Sequence, residues 1–232
     1  MKNKYFIRSH ISEKKFREII KLFSVDLTAT QIATLSKTNR KTINNILTGI
    51  RKNIAVFCEK ESPFQKGEIE IDESYFGAKR IRGRRGRGSY GKTIVFGLKQ
   101  REGKVYTQVI KNCSKKAIIP LINQRISRSV IVYTDGFKTY DGLVNMGYKR
   151  HYRVHHGKNE FARREQKNIK NHINGIENFW GLAKVRLSKF RGMNKGTFYL
   201  HLKECEFRFN YRKDNLYILL LKMMRNKPLK SP

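Results

Sequence analysis

The chain is expected to be an α/β protein, a mixed sheet flanked by helices and preceded by a small all-α N-terminal module. Three observations predict this. Residues 13–52 place their apolar side chains at helical spacing, whereas residues 68–134 hold four runs with the period-two or uncharged apolar pattern of strands. From residue 114 onward such runs alternate with helical ones, the order that builds a sheet covered by helices. At 232 residues the chain is long enough for one substantial core and a small second module.

Within the N-terminal module, residues 13–24 set Phe16, Ile19, Ile20 and Phe23 on one helical face. Thr28-Ala-Thr-Gln31 has the form of a capping box and opens a second helix through Ala33 to Leu35. Thr38 or Asn39 caps a third, with Ile43, Ile46, Leu47 and Ile50 inward and Arg40, Lys41, Asn44, Asn45 and Arg51 outward. Three short helices with a basic, amide-rich last helix resemble a helix-turn-helix, although the turn position that is often glycine holds Lys37. A helical bundle that only packs on the larger domain is the plainer alternative.

Pro63 and Gly67 stop the helical pattern, and a second domain starts there. Residues 68–76 alternate, so Ile69 and Ile71 share one face and Glu70, Asp72 and Ser74 the other. In residues 78–92, Arg80, Arg82, Arg84, Arg85 and Arg87 are interleaved with glycines, which implies a basic loop that orders on a phosphate backbone. Thr93–Gln100 and Lys104–Lys111 read as a hairpin joined at Arg101-Glu-Gly103. Ser114 caps a helix to Ile126 containing Pro120, and Ser129–Thr134 is an uncharged central strand ending at Asp135-Gly136. A helix over Tyr140–Met146, an extended run Tyr148–His156, a helix over His172–Lys184 and two tail helices, Thr197–Tyr211 and Asn215–Met224, complete the pattern. The order of three strands, helix, strand, helix, short strand, helix matches a ribonuclease H-like sheet, among several α/β arrangements that it allows. The expected domains are 1–60, helix-turn-helix-like; 65–212, ribonuclease H-like; and 213–232, a helical tail.

Lys and Arg number 51 against 18 Asp and Glu, a net charge of +33 that calls for a polyanionic partner, either nucleic acid or an anionic membrane surface. No apolar run approaches the 18 or so residues of a membrane span, and no secretory signal is legible, so a cytoplasmic, nucleoid-associated protein is expected. Cys58, Cys113 and Cys205 stand singly, which leaves neither a zinc ribbon nor a disulfide framework.

Against this basic background three acids stand out. At about 100° per residue the helix over His172–Lys184 turns Ile173, Ile176, Phe179, Trp180, Ala183 and Leu187 to the core. Glu177 and Lys184 then lie about 20° apart on the rim of that stripe, with Asn178 nearly opposite. Trp180 is expected as core rather than as a platform for a stacked base. Asp72 lies in the first strand and Asp135 at the end of the fourth, and in a ribonuclease H-like sheet those strands are neighbours. Three gathered carboxylates resist ionisation unless a divalent metal neutralises them. Magnesium takes oxygen ligands, and two ions about 3.5–4 Å apart clamp the attacking and leaving oxygens of a phosphodiester displacement. Glu70 shares the face of Asp72 and is expected to support it indirectly, while Glu73 points to the opposite face. His172, His155 and His156 are poor magnesium ligands and suit phosphate or solvent better.

Ile71-Asp-Glu-Ser-Tyr-Phe-Gly77, Tyr133-Thr-Asp-Gly136, His172-x-Asn174-x-Ile-Glu177-x-Phe-Trp180 with Lys184, and Phe207-Arg-Phe-Asn-Tyr-Arg212 together resemble the catalytic domain of bacterial insertion-sequence transposases of the ISXO type, over roughly residues 65–212. The resemblance implies that Asp72, Asp135 and Glu177 form a metal-binding DDE triad using two magnesium ions, or manganese, and that Lys184 contacts DNA near the reacting end. It also implies double-stranded DNA as substrate and at least a homodimer to pair two element ends. Many relatives carry an N-terminal zinc ribbon, which this sequence lacks, so end recognition falls to Arg40, Lys41, Asn44, Asn45 and the basic loop. A ribonuclease H-like nuclease or resolvase without strand transfer, and a non-enzymatic DNA-binding regulator, are the alternatives.

Overall fold

A computed structural model of the chain describes residues 3–61, 64, 66–77, 91–135, 140, 143, 147, 148, 150–154, 163–165, 169–190 and 193–230. In chain order the elements are β1 (Phe6–Ile7), α1 (Glu13–Ser24), α2 (Ala29–Ser36), α3 (Arg40–Lys60), β2 (Glu68–Phe76), β3 (Thr93–Gln100), β4 (Val105–Ile110), α4 (Lys115–Arg125), β5 (Ile131–Asp135), β6 (Arg150–Val154), β7 (Arg163–Glu165), β8 (Ile169–Asn171), α5 (Asn174–Leu187), α6 (Lys195–Asn210), α7 (Leu216–Asn226) and β9 (Leu229–Lys230). They fall into two compact units, Met1–Lys60 with Lys203–Pro232, and Glu61–Leu202.

The first unit is a helical bundle. Ser12 caps α1 by accepting from the Lys15 N–H at 3.2 Å, and both bonds of the Thr28/Gln31 capping box are present at the start of α2. Lys37 ends α2 in the left-handed conformation, φ 49° and ψ 41°, so the turn keeps the geometry that glycine usually supplies. The apolar faces of α1 and α3 meet Ile32 of α2 in one core, which also takes Tyr5, Phe6, Phe207, Leu220, Met224 and Leu229. The tail therefore packs in the N-terminal unit, and β1 pairs parallel with β9 through Phe6 and Leu229. This division differs from the expected boundary at 212. Phe207 packs against Phe57 at 6.0 Å between ring centroids, and Arg208 donates to the Phe23 and Ser24 carbonyls at the end of α1. Arg51 corrects the expected outward set on α3: it is buried, and its Nε donates to Glu204 Oε2 at 2.7 Å. A carboxylate on α6 thus offsets the desolvation that would otherwise drive a guanidinium to the surface.

The second unit is built on a five-stranded mixed sheet of order β4-β3-β2-β5-β6. β3 pairs antiparallel with β2 and β4, while β5 pairs parallel with β2 and β6, a topology consistent with the ribonuclease H-like arrangement. Alternation in β2 divides its faces as the sequence predicts. Ile69 and Ile71 join Phe96, Leu98, Val132 and the α4 residues Ile118 and Ile122 in one core. The other face carries α5, which buries Ile176, Phe179, Trp180, Ala183 and Leu187. The Arg101–Gly103 hairpin forms, with Glu102 at φ 57°, and the extended run near residue 150 forms β6. Ser114 occupies the N-cap of α4 without a side-chain bond. The basic loop over 78–90 lies outside the described residues, as does the helix expected over 140–146 apart from Tyr140 and Leu143.

Candidate active site

Strand register decides where the acids stand. β2 and β5 run parallel with Glu68 opposite Ile131 and Ile71 opposite Thr134. Carrying that register one residue further sets Asp72 alongside Asp135, on strands about 4.8 Å apart. Period-two alternation then turns both to the face that also carries Glu70 and Tyr133. Asp72 stands midway along β2 and Asp135 is the last residue of β5, so the pair lies just beyond the carboxyl end of the parallel β2–β5 ladder, close to the usual position of sites in α/β sheets.

The helix α5 is fixed over this face at two points. Its N-cap residue, Ile173, has no side chain to cap it, and the vacancy is filled from the sheet: Glu70 Oε2 accepts from the Ile176 N–H at 2.8 Å. One turn on, the Trp180 Nε1–H donates to Asp72 Oδ2 at 3.1 Å. Glu70 and Asp72 are separated by about 6.8 Å of strand and Ile176 and Trp180 by about 6 Å of helix, so α5 runs along β2 with both bonds in register. Two glycines make room for this. A Cβ on Gly175 would stand 2.6 Å from Glu70 Oε2, and one on Gly97 would collide with the Trp180 ring. Glu70, 1% exposed, is steadied by the Arg101 guanidinium, which also donates to the His172 carbonyl at 2.7 Å and stacks on the Tyr133 ring.

Partial burial and the neighbouring charges of Asp135 and Glu73 push the Asp72 carboxyl up to about 7, against the lowering effect of the Trp180 and backbone bonds. Glu73 is also pushed up to about 7, first by burial and then by Asp135, while the Tyr140 hydroxyl that donates to it pulls the other way. Tyr140 belongs to the core on the α4 face, so Glu73 does point away from Asp72, yet it shares the same electrostatic field. Two hard oxygen donors crowded in this way are suited to a divalent cation, whose charge would remove the repulsion.

Glu177 lies on α5 between Ile176 and Trp180, and its side chain is exposed. Among the described residues no three His, Cys, Asp or Glu side chains are gathered closely enough to hold a metal, so Asp72 and Asp135 meet as a pair and Glu177 stands on the adjacent helix. Lys184 is exposed on the same rim, its ammonium 5.9 Å from the Phe76 ring centre. Arg40, Lys41, Asn44 and Asn45 are exposed along α3 in the other unit. Arg80, Arg82, Arg84, Arg85 and Arg87 lie outside the described residues, as do His155 and His156. Trp180 is core, 4% exposed, but it is also a hydrogen-bond donor to Asp72, a role that its apolar neighbours concealed. The capping role of Glu70 had a signal in the sequence: an acid inside a strand, opposite a helix that opens on Ile173 without a capping side chain.

Residues 65–210 match the ISXO2-like transposase domain. The matched segment includes Lys203–Asn210, which fold with the N-terminal unit. An uncharacterised transposase-like protein of Haemophilus influenzae is 40% identical over 121 residues, 52% of this chain and 93% of that protein. An uncharacterised protein in transposable element ISH50 of Halobacterium salinarum is 33% identical over 162 residues, 63% of this chain and 53% of that protein, so the chain spans about half of its length. No helix among the described residues is long and apolar enough to cross a membrane. With its mixed sheet, Asp72 and Asp135 on neighbouring parallel strands and a family match over more than half its length, this chain belongs to the ISXO2-like transposase family.

Proposed function

We propose that the protein is an insertion-sequence transposase that cuts DNA at the element's ends and joins the freed 3′ ends to target DNA. The observation that carries this reading is the placement of Asp72 beside Asp135 on neighbouring parallel strands, in a chain of net charge +33. Asp72 and Asp135 would hold two magnesium ions, or manganese, with Glu177 turning in from α5 as the third ligand, and the ions would supply neutralisation of the charge that develops at the phosphodiester. The carboxylates of β2 and β5 orient that centre from a rigid sheet, and α5 brings Glu177 to it from the exposed rim. Lys184 meets a phosphate next to the reacting bond, and the arginines of the loop over 78–92 follow the DNA backbone. Cleavage and joining are both in-line displacements at phosphorus, so one set of carboxylates serves both and no covalent link to the protein is needed.

The three helices of residues 13–60 are read as a helix-turn-helix-like module in which Arg40, Lys41, Asn44 and Asn45 contact the terminal repeats of the element. Two ends must be paired, so the working assembly is a homodimer or larger, acting on chromosomal DNA in the cytoplasm. End-labelled element termini incubated with magnesium and a supercoiled target test the reading. Joined products are expected, and Asp135→Ala is expected to abolish them while leaving end binding largely intact. Cutting without joining would assign a nuclease or resolvase instead, and metal-independent activity through residues 28–52 would assign a regulator.

A further inference from the structure

The only tryptophan of the chain is a core residue with its one polar atom turned to Asp72. Its ring is 4% exposed, packed edge-on to Phe76 at 6.0 Å and tilted against Phe179 at 5.1 Å. The indole's six-membered ring fills the space beside Gly97, and its N–H adds a directed hydrogen bond that packing does not require. Gly97 is the second sign of a built arrangement. It lies opposite Asp72 in the β2–β3 register, and it leaves clear the space that the indole occupies. The N–H reaches one carboxylate oxygen, Oδ2, and so fixes the rotation of the carboxyl group about its own axis. A carboxylate held at one oxygen presents the other in a defined direction.

We infer that Trp180 is a positioning residue for the metal centre: its indole N–H orients the Asp72 carboxylate for a divalent cation and couples that carboxylate to the helix carrying Glu177. This role rests on the reading of Asp72 as a metal ligand. Trp180 touches neither substrate nor cation and acts through Asp72. Because α5 is also tied at Ile176 to Glu70, a displacement of the indole shifts the Asp72 oxygen and the Glu177 rim together rather than either alone.

Manganese binding to the full chain, measured from the loss of the free-ion electron paramagnetic resonance signal, tests the role without any DNA reaction. Trp180→Phe keeps an aromatic ring and loses the donor, and its affinity for Mn2+ is expected to fall about ten-fold, the usual cost of removing an outer-shell partner. Leu187→Ala alters packing on the same helix about two turns from Trp180 and serves as the control, with affinity expected within two-fold or so of the parent on the same scale. In the parent chain the emission of the single tryptophan should be quenched by Mn2+ in step with binding, and Asp72→Asn should abolish that quenching. Parent affinity in Trp180→Phe, or an equal loss in Leu187→Ala, overturns the positioning role alone. Asp72→Asn that binds Mn2+ as the parent does overturns the metal-site reading itself.

Discussion

At the scale of single residues, Asp72 and Glu70 show two uses for an acid on one strand face. Burial and the Asp135 charge raise Asp72 from its ordinary value near 3.8 to about 7, so between those values the folded chain binds a proton that the unfolded chain has released. Stability then falls as pH rises from about 4 to about 7 and is level above that range. Metal-free Asp72→Asn should lose this part of the slope in urea titrations across that range, and a slope equal to the parent's would refute the crowding of the two acids. Glu70 has a structural task, capping α5 and pairing with Arg101. Glu70→Ala removes one partner of a buried ion pair and an N-cap acceptor, and chemical denaturation should show a loss of about 3 kcal/mol. The placement of Asp72 and Asp135 on neighbouring strands, with Glu177 on a helix packed over that sheet face, is legible in the sequence because each stands at a patterned position in a chain poor in acids. The Trp180 bond is not, since a hydrogen bond across the sheet depends on a register and a glycine clearance that no local pattern carries.

At the scale of elements, the helices and strands are legible where periodicity is strong. β2, β3 and α1 run over the spans that their patterns predict, and the Thr28/Gln31 capping box forms. A helical wheel misplaces Arg51 because it assigns charge to solvent, whereas Glu204, 153 residues away in sequence, draws it inward. Lys37 closes α2 with a left-handed backbone that costs an L-residue about 1 kcal/mol or more. Lys37→Gly should therefore raise stability by about 0.5 to 1 kcal/mol in urea unfolding, and a drop in stability would contradict that turn geometry. For α3, replacing exposed Arg40 and Lys41 by alanine should leave the melting temperature unchanged. It should also lower the slope of log affinity against log salt for element ends by about 2, one for each phosphate that the two side chains neutralise.

At the scale of the whole molecule, sequence order suggests three consecutive domains, and the chain instead returns its last helices to the first unit. Nothing local in Lys203–Asn210 signals this, because its buried ions, Lys203, Glu204 and Glu206, read as a solvated helix face until their partners Glu59, Arg51 and Arg208 are placed. A fragment of residues 1–60 lacks Phe207, Leu220, Met224 and Leu229 from its core and should show no cooperative thermal transition, whereas the full chain should. In the proposed centre Asp72 of β2, Asp135 at the end of β5 and Glu177 of α5 hold the cations for phosphodiester chemistry. Anomalous diffraction from crystals grown with Mn2+ tests it most directly. A manganese peak coordinated by both Asp72 and Asp135, with Glu177 completing the centre, is expected, and peaks confined to other side chains would rule that centre out.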